Sequence, residues 1–258
     1  MGSICSNDPQ QDSGGNILHD KPATISNPKP MPEKKKPLRL YGNHFNSDTR
    51  TILTLLDISG IHYEFEPIDI FKGEHQAPEY LEKNPLGTIP MIVDDGCQLI
   101  GNTSIFTNYL TLTKPKLASY RPKEHANKIE QHLTWFATVL RPCIERLIKV
   151  LIGPKAFGQA DFNGDQIEAA KNAFFGDVLN RVNSMLEGRQ FLISKSEPTV
   201  IDIIFYNEIS NGLALTKIKG FKRLFPQVEE WVTLMGDIAE LEPHAEKMFD
   251  ILASNGLE

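Results

Sequence analysis

The stretch "NPLGTIPMIVDDG", Asn84 to Gly96, decides how the chain is read. Proline has no N–H to give to a β ladder, so Pro90, just ahead of Met91, Ile92 and Val93, belongs at a strand's first residue or on an edge. If the Ile89–Pro90 bond is cis, the N–H and C=O of Ile89 project from the start of that strand. They can then pair with an extended ligand in antiparallel β fashion. Beyond it, "DDG" separates "PMIV" from "CQLI", a hairpin signal.

Working outward, "LRLY" alternates Leu38 and Leu40 and reads as a short strand. A polar turn, "GNHFNSD", follows. "TRTILTLLDIS" then carries Ile52, Leu55, Leu56 and Ser59 at helical spacing and stops at Gly60, a C-cap residue. "IHYEFEPIDI" alternates through Ile61, Tyr63 and Phe65, "APEYLEKN" is a short helix, and "NTSIFTNYLTLT" is a helix with Ile105, Tyr109 and Leu112 on one side. A strand–helix–strand start requires a parallel crossover, and the last two strands pair antiparallel. Residues 38–113 are therefore expected to form an α/β thioredoxin-like domain with a mixed four-stranded sheet.

"TKPKLASYRPKE" opens a proline-bearing linker at 114–121, and residues 122–258 read as an all-α helical bundle. "HANKIEQHLTWFATVLRPCIERLIKVLIG" places Ile129, Leu133, Phe136, Leu140, Ile144, Leu147 and Leu151 at steps of three or four, with Pro142 expected to bend the helix. "QIEAAKNAFFGDVLNRVNSMLEG" is a second helix, closed by Gly188. "TVIDIIFYNEISNGLAL" is largely apolar and therefore central. Thr199 and Asp202 form a capping box at its start, a folding device worth about 1 kcal/mol rather than a site.

Composition excludes several classes. The 258 residues are 40% hydrophobic and 23% charged, enough for one sizeable core or two modest ones. A net charge of −6 does not describe a nucleic-acid surface. Three cysteines, Cys5, Cys97 and Cys143, show neither metal-ligand spacing nor a disulfide framework, and fit a reducing, cytoplasmic compartment. No run of 18 apolar residues occurs.

Residues 1–37 are rich in Ser, Asn, Pro, Gly, Asp and Lys and are expected to be a disordered tail. Its start, "MGSICS", fits N-myristoylation at Gly2, with Cys5 placed for palmitoylation. One acyl chain anchors only marginally, so the pair would be needed to hold the chain at a membrane surface.

The turn "GNHFNSDTR" is the other candidate for chemistry. The following helix's N-terminus carries about half a positive charge and free N–H groups, suited to an anion or thiolate. Asn46, Ser47 and Thr49 are the nearby donors, and plain capping by Ser47 or Asp48 is the alternative use of the same residues.

Taken together, "LYGNHFNSDTR", "KGEHQAPEYLEKNPLGTIPMIVDDG", "GNTSIFTNYL", "LTWFATVLRPC" and "PTVIDIIFYNEI" resemble a cytosolic glutathione transferase, most like the theta class, from Leu38 to about residue 250. The resemblance implies a homodimeric enzyme that joins glutathione to small electrophiles, or reduces hydroperoxides with it. It implies no metal or bound cofactor, glutathione being a substrate. His75 matches a contact to the glycine carboxylate of glutathione. Ile89, before a cis Pro90, matches the residue whose main chain pairs with the cysteinyl unit. Asn102 and Thr103 fall where the family holds the γ-glutamyl group with an acidic residue and a serine. Asn102 lacks that charge, and a lost charged hydrogen bond costs roughly 1.5–3 kcal/mol.

The resemblance puts either Asn46 or Ser47 at the catalytic position, while Tyr41 stands near where other classes carry a catalytic tyrosine. Trp135 and Arg141 match the second-substrate pocket. A thiol of pKa near 8.5 needs roughly 2.7 kcal/mol of preference for its charged form to shift by about two units. One donor plus the positive end of a helix is of that size. The asparagines at 46 and 102 equally fit a non-catalytic regulator or scaffold of the same fold, and a dedicated dehalogenase or isomerase is a third reading.

Overall fold

The alternation in "LRLY" becomes strand β1, Leu38–Gly42, in the computed structural model, which describes residues 36–257. Leu38 and Leu40 are buried on one face with Ile92, while Tyr41 and Met91 pack on the other with Tyr80. Gly42 ends the strand where space is short. A Cβ there would meet the Thr49 side chain at 2.6 Å, so the chain can turn directly into helix α1, Ser47–Ser59. That helix stops at Gly60, whose φ of 64° is the left-handed conformation glycine adopts freely.

Strand β2, Tyr63–Pro67, pairs parallel with β1, as the crossover requires. After a 3₁₀ turn at Glu74–Gln76 and the short helix α2, Pro78–Leu81, the Ile89–Pro90 peptide bond is cis. Strands β3, Met91–Asp94, and β4, Cys97–Ile100, form the expected hairpin. Asp95 and Gly96 both take positive φ (48° and 80°), which matches the twist of the flanking strands. The sheet order is β2-β1-β3-β4, with β1 and β3 antiparallel.

Helix α3, Thr103–Thr113, forms over the expected stretch. Its buried face is Thr103, Phe106, Thr107, Leu110 and Thr111, leaving Ile105 44% and Leu112 74% exposed. The inward threonines satisfy their hydroxyls on the preceding turn, Thr107 to Thr103 O at 2.8 Å and Thr111 to Thr107 O at 2.7 Å. Polar residues can thus line a buried face without an unpaired group.

The long amphipathic segment is not one α-helix. Helix α4, Ala126–Trp135, widens into a π turn at Phe136–Leu140 before α5, Arg141–Leu151, with Pro142 in the first turn of α5. Proline has no N–H for the preceding turn, which favours a local change of winding there. Short α6, Gly153–Phe157, follows. The second predicted helix is likewise split, into α7, Gly164–Ala173, a π turn at Phe174–Leu179, and α8, Asn180–Met185.

Helix α9, Val200–Thr216, lies at the centre of the core. Its capping box is as expected, and Asp202 also accepts from Leu192 N at 2.8 Å and Trp231 Nε1 at 3.2 Å. Helices α10, Phe221–Leu224, α11, Pro226–Gly236, and α12, Glu242–Ser254, complete the described chain. Helix α1 packs on both α9 and α12, so the sheet-bearing half and the helical half share buried surface. Among the described residues no helix is long and apolar enough to cross a membrane. Gly2 and Cys5 lie outside the described residues.

Candidate active site

The turn between β1 and α1 is held by its own polar groups. Asn43 donates through Nδ2 to Ile68 O at 3.0 Å and accepts from Phe45 N at 2.9 Å. Asn46 is the N-cap of α1, its Oδ1 accepting from Thr49 N at 2.8 Å and Thr49 Oγ1 at 3.1 Å. That uses the oxygen only. Among the described residues the Asn46 Nδ2 amide has no partner, and the side chain is half-buried.

Ser47 behaves differently. It is 2% exposed, and its hydroxyl donates to Glu208 on α9. Next to it, Asp48 receives both the Thr103 hydroxyl and the Arg141 guanidinium. Arg141 also reaches Glu208 at 3.3 Å and Thr103 Oγ1 at 3.4 Å. Burial pushes the Glu208 carboxyl up to about 7; Arg141 opposes the shift and Asp48 adds to it. Three expected site residues, Ser47, Thr103 and Arg141, therefore converge on two carboxylates: Asp48, expected only as a cap that Asn46 in fact supplies, and Glu208, which the sequence did not single out.

Arg50 lies beneath them with no exposed surface. Its guanidinium donates to the carbonyls of His44, Phe45 and Asn207 and to the side chains of Asn207 and Asn211. Burial lowers its pKa to about 10. The signal in the sequence was present: Asn207, Glu208 and Asn211 interrupt an otherwise apolar helix. Their partners stand far off in sequence: Ser47 and Arg50 lie more than 150 residues before them, and Arg141 lies between.

At the head of β3, among the described residues neither the N–H nor the C=O of Ile89 has a hydrogen-bond partner. The loop leading to it is tightly fixed. Tyr80 and Asn84 both donate to Thr88 O, at 2.7 and 2.6 Å, and Gln76 Nε2 donates to Gly87 O at 2.9 Å. His75 lies in the same 3₁₀ turn as Gln76, with a buried Nδ1 that has no partner. Pro90 is buried behind Ile89. Asn102 caps α3 weakly, accepting from Ile105 N at 3.4 Å, and is exposed.

The remaining expected residues are placed elsewhere. Trp135 is half-buried and stacks on Phe205 at 5.6 Å, while the Arg141 guanidinium lies over the Phe136 ring at 5.0 Å. The structure brings Arg141 to Asp48 and Glu208, and brings Trp135 to the α9 core. Tyr41 is buried beside Tyr80, with Lys83 Nζ 5.3 Å from its ring centre. Among the described residues no group of three metal-ligating side chains occurs.

A second buried polar cluster joins α12 to this region. His244 donates from Nε2 to Asp57 Oδ2 at 2.8 Å and stacks on His44 at 5.5 Å. Burial, and then the neighbouring His244, lower the His44 pKa to about 3.

Comparison with known proteins fits this architecture. A family model described as "Glutathione S-transferase, N-terminal domain" matches residues 36–110. Glutathione S-transferase 1 of Zea mays is 30% identical over 204 residues, covering 76% of this chain and 89% of the relative. Glutathione S-transferase F9 of Arabidopsis thaliana is 32% identical over 111 residues, 41% of this chain and 49% of that protein, so this match spans about half of its length. Among solved structures, glutathione transferase URE2P6 from Phanerochaete chrysosporium, in complex with oxidized glutathione, aligns with a TM-score of 0.69. It is 23% identical and covers 84% of this chain and 98% of that one.

Proposed function

The chain belongs to the glutathione S-transferase family, an enzyme family, and on that premise we propose that it binds glutathione as an added strand along Ile89 and transfers its sulfur to a small electrophile. The observation that carries this reading is the main chain of Ile89 at the head of β3, which has no hydrogen-bond partner among the described residues, directly after a loop whose Gly87 and Thr88 carbonyls are held by side chains. An extended peptide supplies the complementary donor and acceptor. His75, in the 3₁₀ turn ahead of α2, is assigned the peptide's glycine carboxylate, its Nδ1 having no partner among the described residues.

The sulfur is stabilised at the N-terminus of α1. The free Nδ2 amide of Asn46 supports that residue as the direct donor, since Ser47 spends its proton on Glu208. Together with the end of α1, one such hydrogen bond supplies about 2 kcal/mol toward the thiolate. Asn102 and the main chain of Thr103 at the start of α3 receive the γ-glutamyl end, the Thr103 hydroxyl being spent on Asp48, and Trp135 borders the electrophile's pocket. Reduction of hydroperoxides would use the same thiolate.

A theta-like class, a homodimer, a cytoplasmic location and acylation of Gly2 and Cys5 belong to the same proposal. Ile105 and Leu112, two helical turns apart on α3 and exposed, support a covered apolar stripe. Mass spectrometry of the native protein tests the acylation.

The function is tested by retention on immobilised glutathione followed by turnover of a generic aromatic electrophile. The expected result is retention and turnover, with Asn46→Ala lowering turnover at least tenfold and Ser47→Ala doing so less. Retention without turnover would make the chain a non-catalytic member of its fold. Absence of both would end the reading.

A further inference from the structure

Away from this site, α4 and α8 face each other across a cavity of about 410 Å³ lined by Lys128, His132, Arg181, Arg189, Met185 and Leu192, among others. Helical spacing makes the lining continuous. Lys128 and His132 are four apart on α4, and Arg181 and Met185 are four apart along α8, so each pair shares a face. Three permanent cations line the cavity and no carboxylate does. Among the described residues none of Lys128, Arg181 or Arg189 forms an ion pair.

Acidic residues outnumber basic ones in the chain, 33 to 27, yet this lining holds three cations and no carboxylate. Three unpaired cations around one concavity repel one another until something negative enters. His132 adds a polar wall. Its Nδ1 donates to Lys128 O at 2.7 Å, because a carbonyl can only accept, and this fixes the ring's orientation.

Arg189 also lines an adjoining cavity of about 540 Å³, whose lining adds Lys195 but also the carboxylate of Glu230. The anion is therefore assigned to the smaller cavity, where no carboxylate opposes it. A monoanion would neutralise only one of the three cations there. A molecule with several phosphate or sulfonate groups would neutralise all three.

We propose that the α4–α8 cavity is a binding site for a small polyanion bearing phosphate or sulfonate groups. Arginine suits both groups, since its planar fork meets two oxygens at once. The leucine and methionine in the lining leave room for an apolar body behind the charged groups. This site is separate from Ile89 and Asn46, so its occupancy does not depend on how those residues act.

The test is calorimetric titration of the full chain with inorganic tripolyphosphate and with inorganic phosphate, at matched ionic strength. Tripolyphosphate is expected to bind at least tenfold more tightly than phosphate. The double variant Arg181→Gln with Arg189→Gln should weaken tripolyphosphate at least tenfold. Both side chains are exposed, so the fold should be retained, which an unchanged thermal unfolding curve checks. Lys219→Gln, on an exposed lysine outside both cavities, should leave binding as it was. Absence of tripolyphosphate binding, or equal weakening by Lys219→Gln, would overturn the proposal. A benzene disulfonate titrated in parallel separates sulfonate from phosphate as the preferred group.

Discussion

Ser47 on α1 donates its hydroxyl to Glu208 on α9, across 161 residues of sequence, so the turn proposed to hold glutathione is fastened to the centre of the helical half. A buried carboxylate at that junction makes stability depend on pH. Glu208 titrates at about 7 when folded, against an ordinary value of 4.5. The folded state therefore binds one more proton than the unfolded state between those values, and stability from this group is lost as pH rises through that window. Glu208→Gln should remove this falling slope, worth on the order of 3 kcal/mol from one end to the other. Denaturant unfolding at pH 5 and pH 8 checks it, and an unchanged slope in the variant would refute the assignment.

His44 has the opposite sign. Its folded value is about 3, against 6.5, so the unfolded state holds the extra proton between these limits and stability falls as pH drops through them. His44→Phe preserves a ring against Phe65 and His244, whose centres lie 5.0 and 5.5 Å away. It should flatten the acid limb of the same stability curve. The two groups oppose each other between pH 4.5 and 6.5, so each single variant should unmask the other's slope.

Arg50 is the residue whose loss should cost most. Arg50→Met would remove the guanidinium donors from the carbonyls of His44, Phe45 and Asn207 and from the oxygens of two asparagine side chains, of which Phe45 O keeps a bond from Asn211. Each buried unsatisfied group costs about 1–3 kcal/mol, with partial relaxation. A fall of at least about 3 kcal/mol is expected, or roughly 6–12 °C in Tm for a chain of this size. Calorimetry checks it.

The capping box gives a graded pair. Thr199→Ala should cost about 1 kcal/mol. Asp202→Ala should cost distinctly more, because this one carboxylate accepts from Thr199 N, Thr199 Oγ1, Leu192 N and Trp231 Nε1. Equal losses would mean that the cap alone matters.

These residues show where sequence reading succeeds and where it stops. Alternation in "LRLY", glycine at 60, "DDG" and proline at 90 are local signals, and each lies where local physics puts it. The Thr199–Asp202 box is equally local. Asp48, Glu208 and Arg50 were not legible as partners, because each pairing crosses from the first helix to the helical half. Which side of α3 is buried was not legible: Ile105 and Leu112 share one side, yet threonines that bond to their own helix line the core. The steps of three and four from Ile129 to Leu151 hide a π turn, which adds a residue without breaking the apolar stripe.

Amide hydrogen exchange at Ile89, with and without saturating glutathione, tests the central claim most directly. Its N–H has no partner among the described residues, so exchange there should be fast and should slow at least tenfold when the peptide's carbonyl takes it. Exchange at Ile89 that stays equally fast, under glutathione concentrations that demonstrably occupy the protein, would contradict the account.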